Sequence, residues 1–328
     1  MRRWEVAELG DPPSVARLVE VAEPARGDGR ALVRIDAACI GFPDYLMMQG
    51  LYHDKPELPF GIAGEAAGTV VDSDIDGIEV GSRRLVLADA KGAGLLTDLV
   101  SASPDNLLPL PMDLPVEHGA TLFTAYQTSY VGLFRRARLE AGEIVLIHGA
   151  TGGVGMAAVQ LAKAAGAHVI AVVGGGQKVD AARDFGADEV IDHRTTDFVE
   201  RVRELTGGRG VDVAYDPVGG EVFDQTRRVM AVEGRLLVVG FAGGTIPSAP
   251  ANHALLKNYS VVGFRMRPFR EDLAYRDEVH RHILQWYAEG KIRPRVQVFE
   301  FEDLPAALTE IGSRQVIGRV VLRTQPRP

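Results

Sequence analysis

Residues His148–Gly155 read HGATGGVG, four glycines in eight positions. The apolar run EIVLI (Glu143–Ile147) precedes them, and MAAVQLAKAAG (Met156–Gly166), with helical spacing, follows. A strand that feeds a helix through side-chain-free backbone makes an anion site. The helix N-terminus offers unpaired N–H groups and a partial positive charge, and glycines let a diphosphate approach them. Gly152, Gly153 and Gly155 supply that clearance, the last also for close packing of helix on strand. Aligned to the G-x-G-x-x-G pattern, Ala150-Thr151-Gly152-Gly153-Val154-Gly155 carries Ala at the first glycine. A second strand, HVIAVV (His168–Val173), ends about twenty residues on, the spacing of a dinucleotide-binding βαβ unit. The alternative is a glycine-rich turn that binds nothing.

The end of that second strand selects the cofactor. An NAD site places Asp or Glu there for the ribose 2′-hydroxyl. This chain has Gly174, Gly175 and Gly176, then Lys178. Glycines leave room for a 2′-phosphate and a lysine offsets its charge, so the pattern predicts NADP(H) over NAD(H). The competing reading of Lys178 is a solvated residue in a first helical turn.

Beyond Glu143 short Val- and Ile-rich runs alternate with helical segments: DEVID, VDVAYDP, RLLVVGF and SVVGF between KVDAARDFG, DFVERVRELTG and EVFDQTRRVM. That alternation predicts a parallel sheet covered on both faces. Residues 1–110 instead read as β-rich, with ALVRIDAACI, AAGTVVDSD and RRLVLADA punctuated by Gly and Pro. LLPLPMDLP (Leu107–Pro115) reads as a linker, and VEHGATLFTAYQTSYVGLFRRA as helical. The helix DEVHRHILQWYAEG and the strand GRVVLRT are expected to return to the first domain.

The 328 residues carry a formal net charge of −8, against a nucleic-acid-binding footprint. Cys39 is the only cysteine, so no internal disulfide and no four-cysteine zinc site can form. The opening MRRWEVAELG has no apolar leader core, and no run of about 18 apolar residues occurs, so a soluble cytoplasmic protein is expected.

Across nearly its whole length the chain resembles the zinc-independent medium-chain dehydrogenase/reductases, and among them the NADPH:quinone oxidoreductases. The matching stretches are GFPDYLMMQGLY, LPFGIAGEAAGTV, ATLFTAYQTSY, HGATGGVG, GVDVAYDPVGG, GRLLVVGFAGG and SRQVIGRVVL. Ala150 in the glycine motif is common in that branch. The resemblance implies an α/β fold: a GroES-like β-barrel catalytic domain (1–120 and 266–328) plus a Rossmann doubly wound parallel-sheet domain (121–265). It also implies homodimers joined at the edge strand SVVGF (Ser260–Phe264), whose alternative is a capped monomeric edge.

Zinc-using relatives need a Cys, a His from Gly-His-Glu and a further Cys or Asp. Here Gly41 stands at the Cys position and the motif reads Ala63-Gly64-Glu65, so no metal is expected. Cys39 reads as a small buried residue. Without a Lewis acid for alkoxide chemistry, the easier task is hydride delivery to an electron-poor acceptor, a quinone or an α,β-unsaturated carbonyl. The resemblance implies substrate-facing roles for Tyr52, Thr124 and, as a second choice, Tyr45. It implies cofactor contacts from Ala150, Thr151, Gly152, Gly153, Val154, Gly174, Lys178 and His193 with Arg194. Phe241, Ala242, Phe264 and Arg265 follow strands at their ligand-binding ends. Asp44 reads as a cap. Gly41 stands where many quinone reductases carry Asn, which predicts a widened site. Three functions follow: quinone reduction, C=C reduction of enones or 2-enoyl thioesters, and NADPH binding without turnover.

Overall fold

The computed structural model describes residues 1–89 and 92–325, so Ala90, the last residue of RRLVLADA, lies outside them. The chain forms two compact units, Met1–Thr124 with Pro294–Pro328, and Ala125–Arg293.

Among the described residues the first unit holds strands β1 (Arg2–Val6), β2 (Ala16–Glu20), β3 (Ala31–Ile40), β4 (Phe60–Gly61), β5 (Glu65–Asp72), β6 (Arg83–Leu87), β7 (Leu99–Ala102) and β8 (Leu107–Pro109). The strands β15 (Val296–Glu300) and β16 (Arg319–Arg323) complete it. One sheet runs β15-β16-β3-β5-β6-β8 with β7 also on β3, and a smaller one runs β2-β1-β4. Strand β3 buries Ala31, Val33 and Ile35 in alternation, then Ala37–Ile40 continuously, where β16 and β5 flank it. Such a switch from one buried face to two is the mark of a strand entering the centre of a core.

The second unit holds β9 (Ile144–His148), β10 (His168–Val173), β11 (Glu189–Asp192), β12 (Val211–Asp216), β13 (Met230–Val238) and β14 (Ser260–Gly263). They pair in parallel in the order β11-β10-β9-β12-β13-β14. The chain moves outward from β9 to β11 and then returns to β12, so the order reverses between β9 and β12. In open α/β sheets ligands bind at that reversal, outside the carboxyl ends of the strands. Val145, Leu146 and Ile147 are all fully buried, as are Val169, Ile170 and Ala171, because helices cover both faces. The GroES-like and Rossmann pair expected from the sequence is the observed fold.

Two local expectations are corrected. Leu107–Pro109, within the expected linker, is a strand paired with β6, and Leu107, Leu108, Leu110 and Leu114 are buried. The prolines had obscured an apolar edge strand, a position that Pro tolerates. The helix Leu273–Ala288 belongs to the second unit, not the first. It buries Arg276, Val279, His280 and Ile283, the i, i+3, i+4, i+7 stripe, and Gln127 donates to the Arg276 carbonyl. The stretch after Pro115 is helical as expected, over Val116–Gly119 and then from Leu122 to Arg136, with wider π-helical segments at Leu122–Gln127 and Val131–Arg136.

Candidate active site

The helix Gly153–Ala164 begins directly beyond β9, with Gly152 at its N-cap and no side chain capping it. Its first N–H groups therefore remain available to an anion. A Cβ on Gly155 would run into the Gly149 carbonyl, whereas Gly152 has only that oxygen, 3.4 Å away, near such a Cβ. Ala150 and Thr151 are buried, and the Ala150 N–H donates to Val172 of the neighbouring strand. The methyl in place of the first glycine thus points into packed interior, which explains its tolerance.

The loops after β10 and β11 converge. Asp192 accepts hydrogen bonds from the Gly175 and Arg194 N–H groups, both at 3.0 Å. Those bonds, with the nearby His193 and Arg194, hold its carboxyl below the usual range. A Cβ on Gly174 would lie 2.8 Å from His193 Nε2, and one on Gly175 3.1 Å from Arg194 Nη1. Gly175 also has φ +107°, which side-chain-bearing residues avoid. Burial, then the charge of Arg194, push the Lys178 amine down. Gly174, Lys178, His193 and Arg194 thus converge in one cluster whose cations are Lys178 and Arg194, and the carboxylate of Asp192 among them is spent on backbone. The sequence carried the signal for all four at separate points; the strand pairing assembles them.

Phe241 follows β13, exposed, with Ala242 donating to the Pro217 carbonyl beyond β12. Phe264 turns onto Gly132, its ring 3.2 Å from where a Cβ there would stand, while Arg265 is exposed. Asp216, at the end of β12, is buried and accepts from the N–H groups of Val218 and Gly219.

In the first unit the expected zinc motif has another use. The Glu65 side chain is 1% exposed; Oε2 accepts the N–H groups of Phe123 (3.1 Å) and Thr124 (2.8 Å), and Oε1 accepts Arg319 Nη2 (2.5 Å). Arg319, from β16, is itself buried. A Cβ on Gly41 would lie 2.8 Å from Arg319 Nη1. The expectation that Gly41 widens the site is therefore corrected: the guanidinium fills that space. Asp44 accepts the Gly41 N–H and caps the helix Phe42–Met48. Desolvation pushes its carboxyl up to about 6. Cys39 is buried, and burial pushes its thiol up. Among the described residues no three His, Cys, Asp or Glu side chains converge as metal ligands would.

Tyr45 stacks on Phe42 with centroids 6.1 Å apart, and its hydroxyl lies over Gly312 of the helix Leu304–Ser313. Tyr52 is half-buried, its ring 4.1 Å from that of His53. Thr124 is half-buried, and its hydroxyl has no partner among the described residues. Sequence reasoning missed the Glu65–Arg319 pair because it examined Glu65 only as part of a metal motif.

A strand-order reversal beside an uncapped helix start and a glycine loop is the arrangement of a dinucleotide-dependent dehydrogenase or reductase. A family profile described as zinc-binding dehydrogenase matches residues 153–281. Quinone oxidoreductase-like protein 2 of Bos taurus is 34% identical over 88% of this chain and 84% of that protein. Quinone oxidoreductase of Escherichia coli, complexed with NADPH, is 30% identical with a TM-score of 0.89, covering 98% of this chain and 100% of that one. The ER cyclopropanase CurF from the curacin A biosynthetic pathway is 27% identical with a TM-score of 0.88, covering 98% of each chain. The chain belongs to the quinone oxidoreductase family of medium-chain dehydrogenase/reductases, which makes it an oxidoreductase.

Proposed function

We propose that this protein is a zinc-free, NADPH-dependent reductase of quinones or similarly electron-poor carbonyl acceptors, acting as a homodimer in the cytoplasm. The observation that carries the cofactor choice is the cluster of Lys178, His193 and Arg194 beside the carboxylate-free turn Gly174–Gly176. Two fixed cations and an imidazole suit a dianionic 2′-phosphate; an NAD site would present a carboxylate. The uncapped N–H groups at Gly153–Gly155 receive the diphosphate, and Phe241, Ala242, Phe264 and Arg265 border the remainder.

NADPH, when bound, supplies the hydride. The chain's own task is to orient it, exclude water and donate a hydrogen bond to the acceptor carbonyl as negative charge develops there. Tyr52 and Thr124 are the proposed donors; Tyr45, engaged against Phe42 and Gly312, is the weaker one. Zinc-free chemistry is supported by the donors themselves, since Glu65 is committed to Arg319 and two backbone N–H groups. An E. coli relative complexed with NADPH supports the cofactor, and the Bos taurus relative's name the acceptor.

A second reading, C=C reduction of enones or 2-enoyl thioesters, is favoured by the likeness to CurF. NADPH binding without turnover is the third. Stopped-flow oxidation of NADPH by 1,4-benzoquinone and by an enone panel separates them. Quinones should give the higher kcat/KM; enones matching or exceeding them would transfer the assignment to the second reading, and no acceptor reduced would transfer it to the third.

A further inference from the structure

The residues proposed for the cofactor gather at the carboxyl ends of β9 and β10. The opposite end of the same sheet holds a different feature. At the amino ends of β12 and β13 a cavity of about 290 Å3 opens, bounded by the turn at 208–210, the start of β13 and the end of the helix Ala251–Lys257. That volume is near the lower limit of small-molecule sites. Buried Val229 and Met230 form its floor, and its rim carries Val232 and Leu256, which are 72% and 75% exposed. Four cations line it, Arg203, Arg209, Arg228 and Lys257, and among the described residues no carboxylate does.

Three separate segments bring these charges together. Arg203 lies in the last turn of the helix Phe198–Leu205. The chain then bends through Gly207, Gly208 and Gly210, all at positive φ, and a Cβ on Gly210 would strike the Val229 carbonyl oxygen at 2.5 Å. That glycine lets the turn bearing Arg209 close on the short helical turn Arg227–Val229, which bears Arg228. Lys257 ends its own helix, and the carbonyl of the next residue, Asn258, accepts the Glu233 N–H of β13.

Part of this charge is already matched. Arg209 is held at 2.6 and 2.8 Å by the two oxygens of Asp212, and Lys257 Nζ donates to the Arg228 carbonyl at 2.9 Å. Each helix C-terminus adds roughly half a negative charge. The Arg203 and Arg228 guanidiniums have no hydrogen-bond or ion-pair partner among the described residues. Burial, then the charges of Arg227, Lys257 and Arg228, push the nearby His253 imidazole down, a sign of crowded positive charge.

We propose that this cavity is a second anion site, separate from the cofactor's, that takes a small phosphate ester. The phosphate lies between Arg203 and Arg228, and an apolar or aromatic body covers Val232 and Leu256. Guanidiniums fork onto phosphate oxygens in pairs of hydrogen bonds, which suits a dianion. Covering the exposed aliphatic rim adds apolar burial. A nucleic-acid backbone would need an extended basic face, whereas this chain has a net charge of −8. The site is independent of the reading of the chain as a reductase.

Calorimetry on the full chain, in saturating NADP+, tests this with 1-naphthyl phosphate as probe and with its two halves, inorganic phosphate and 1-naphthol. One naphthyl phosphate should bind per chain, each half at least about 10-fold more weakly. Arg203→Ala/Arg228→Ala should weaken the probe about 10-fold or more at unchanged Tm, since both side chains are exposed. Leu256→Ser should weaken it several-fold. No binding at millimolar probe, or unchanged affinity in either variant, would overturn the inference. So would binding that appears only without NADP+, which places the probe in the cofactor site. Equal affinity for 1-naphthol would also overturn it, since the cavity would then be recognising the ring and not the phosphate.

Discussion

The Gly149 carbonyl oxygen occupies the volume that a Cβ on Gly155 would need, so strand end and helix start interlock through one glycine. Gly155→Val should lose measurable NADPH binding and destabilise the chain by about 1–3 kcal/mol or more, because the obstruction is backbone and cannot rotate away. Denaturant melts with a cofactor titration check this, and a stable variant with wild-type affinity would contradict the placement of the diphosphate.

Lys178 and Arg194 act on the same phosphate in the proposed complex. Lys178→Ala and Arg194→Ala should each weaken NADPH binding about 10-fold or more, from the loss of one charge-assisted hydrogen bond, and leave NADH binding nearly unchanged. Calorimetric titration with both dinucleotides measures the ratio; equal losses for the two would remove the 2′-phosphate assignment.

Gly41→Asn restores a residue common in the family and should nevertheless harm this chain. Its Cβ would meet Arg319 Nη1 at 2.8 Å, displacing the guanidinium from Glu65. A fall in Tm and in kcat is expected; a gain in quinone turnover would show that Arg319 yields readily.

His148 is buried at the end of β9, with Nε2 2.7 Å from the Thr226 hydroxyl. That hydroxyl donates to the Val222 carbonyl, so Nε2 carries the proton and donates. Burial, with His193 nearby, pushes the imidazole down to about 3. In the unfolded chain it protonates near 6.5, so between these values the unfolded state binds more protons. Stability should therefore be intact above about pH 6.5 and decline as pH falls toward 3. In His148→Gln the drop between pH 7 and 4.5 should shrink by about 2 kcal/mol, read from urea melts at both values.

Strand β14 pairs with β13 along one edge, and Val261 on it is 38% exposed. If this edge joins two copies, light scattering should give twice the 35.4 kDa chain mass, and Val261→Lys should shift it toward one. A wild-type monomer would place the homodimer proposal elsewhere or nowhere.

Local sequence was sufficient wherever the physics is local. Continuous Val/Ile runs alternating with helical segments specify a doubly covered parallel sheet, and the glycines of 149–155 mark a turn where backbone must meet backbone. The residue types of the Gly174, Lys178, His193 and Arg194 cluster, proposed for the 2′-phosphate, stand in the sequence itself, because charge sign and missing side chains are properties of composition. Tertiary structure decided the rest. Leu107–Pro109 became a strand only because β6 offered it an edge, and the helix Leu273–Ala288 joined the second unit because its buried stripe found Gln127 there. Arg319 reached Glu65 across 254 residues and refilled the space that Gly41 had left. Short-range patterning fixes which elements form; burial of a charge, and the choice of what neutralises it, depends on strands distant in sequence that only the folded chain makes neighbours.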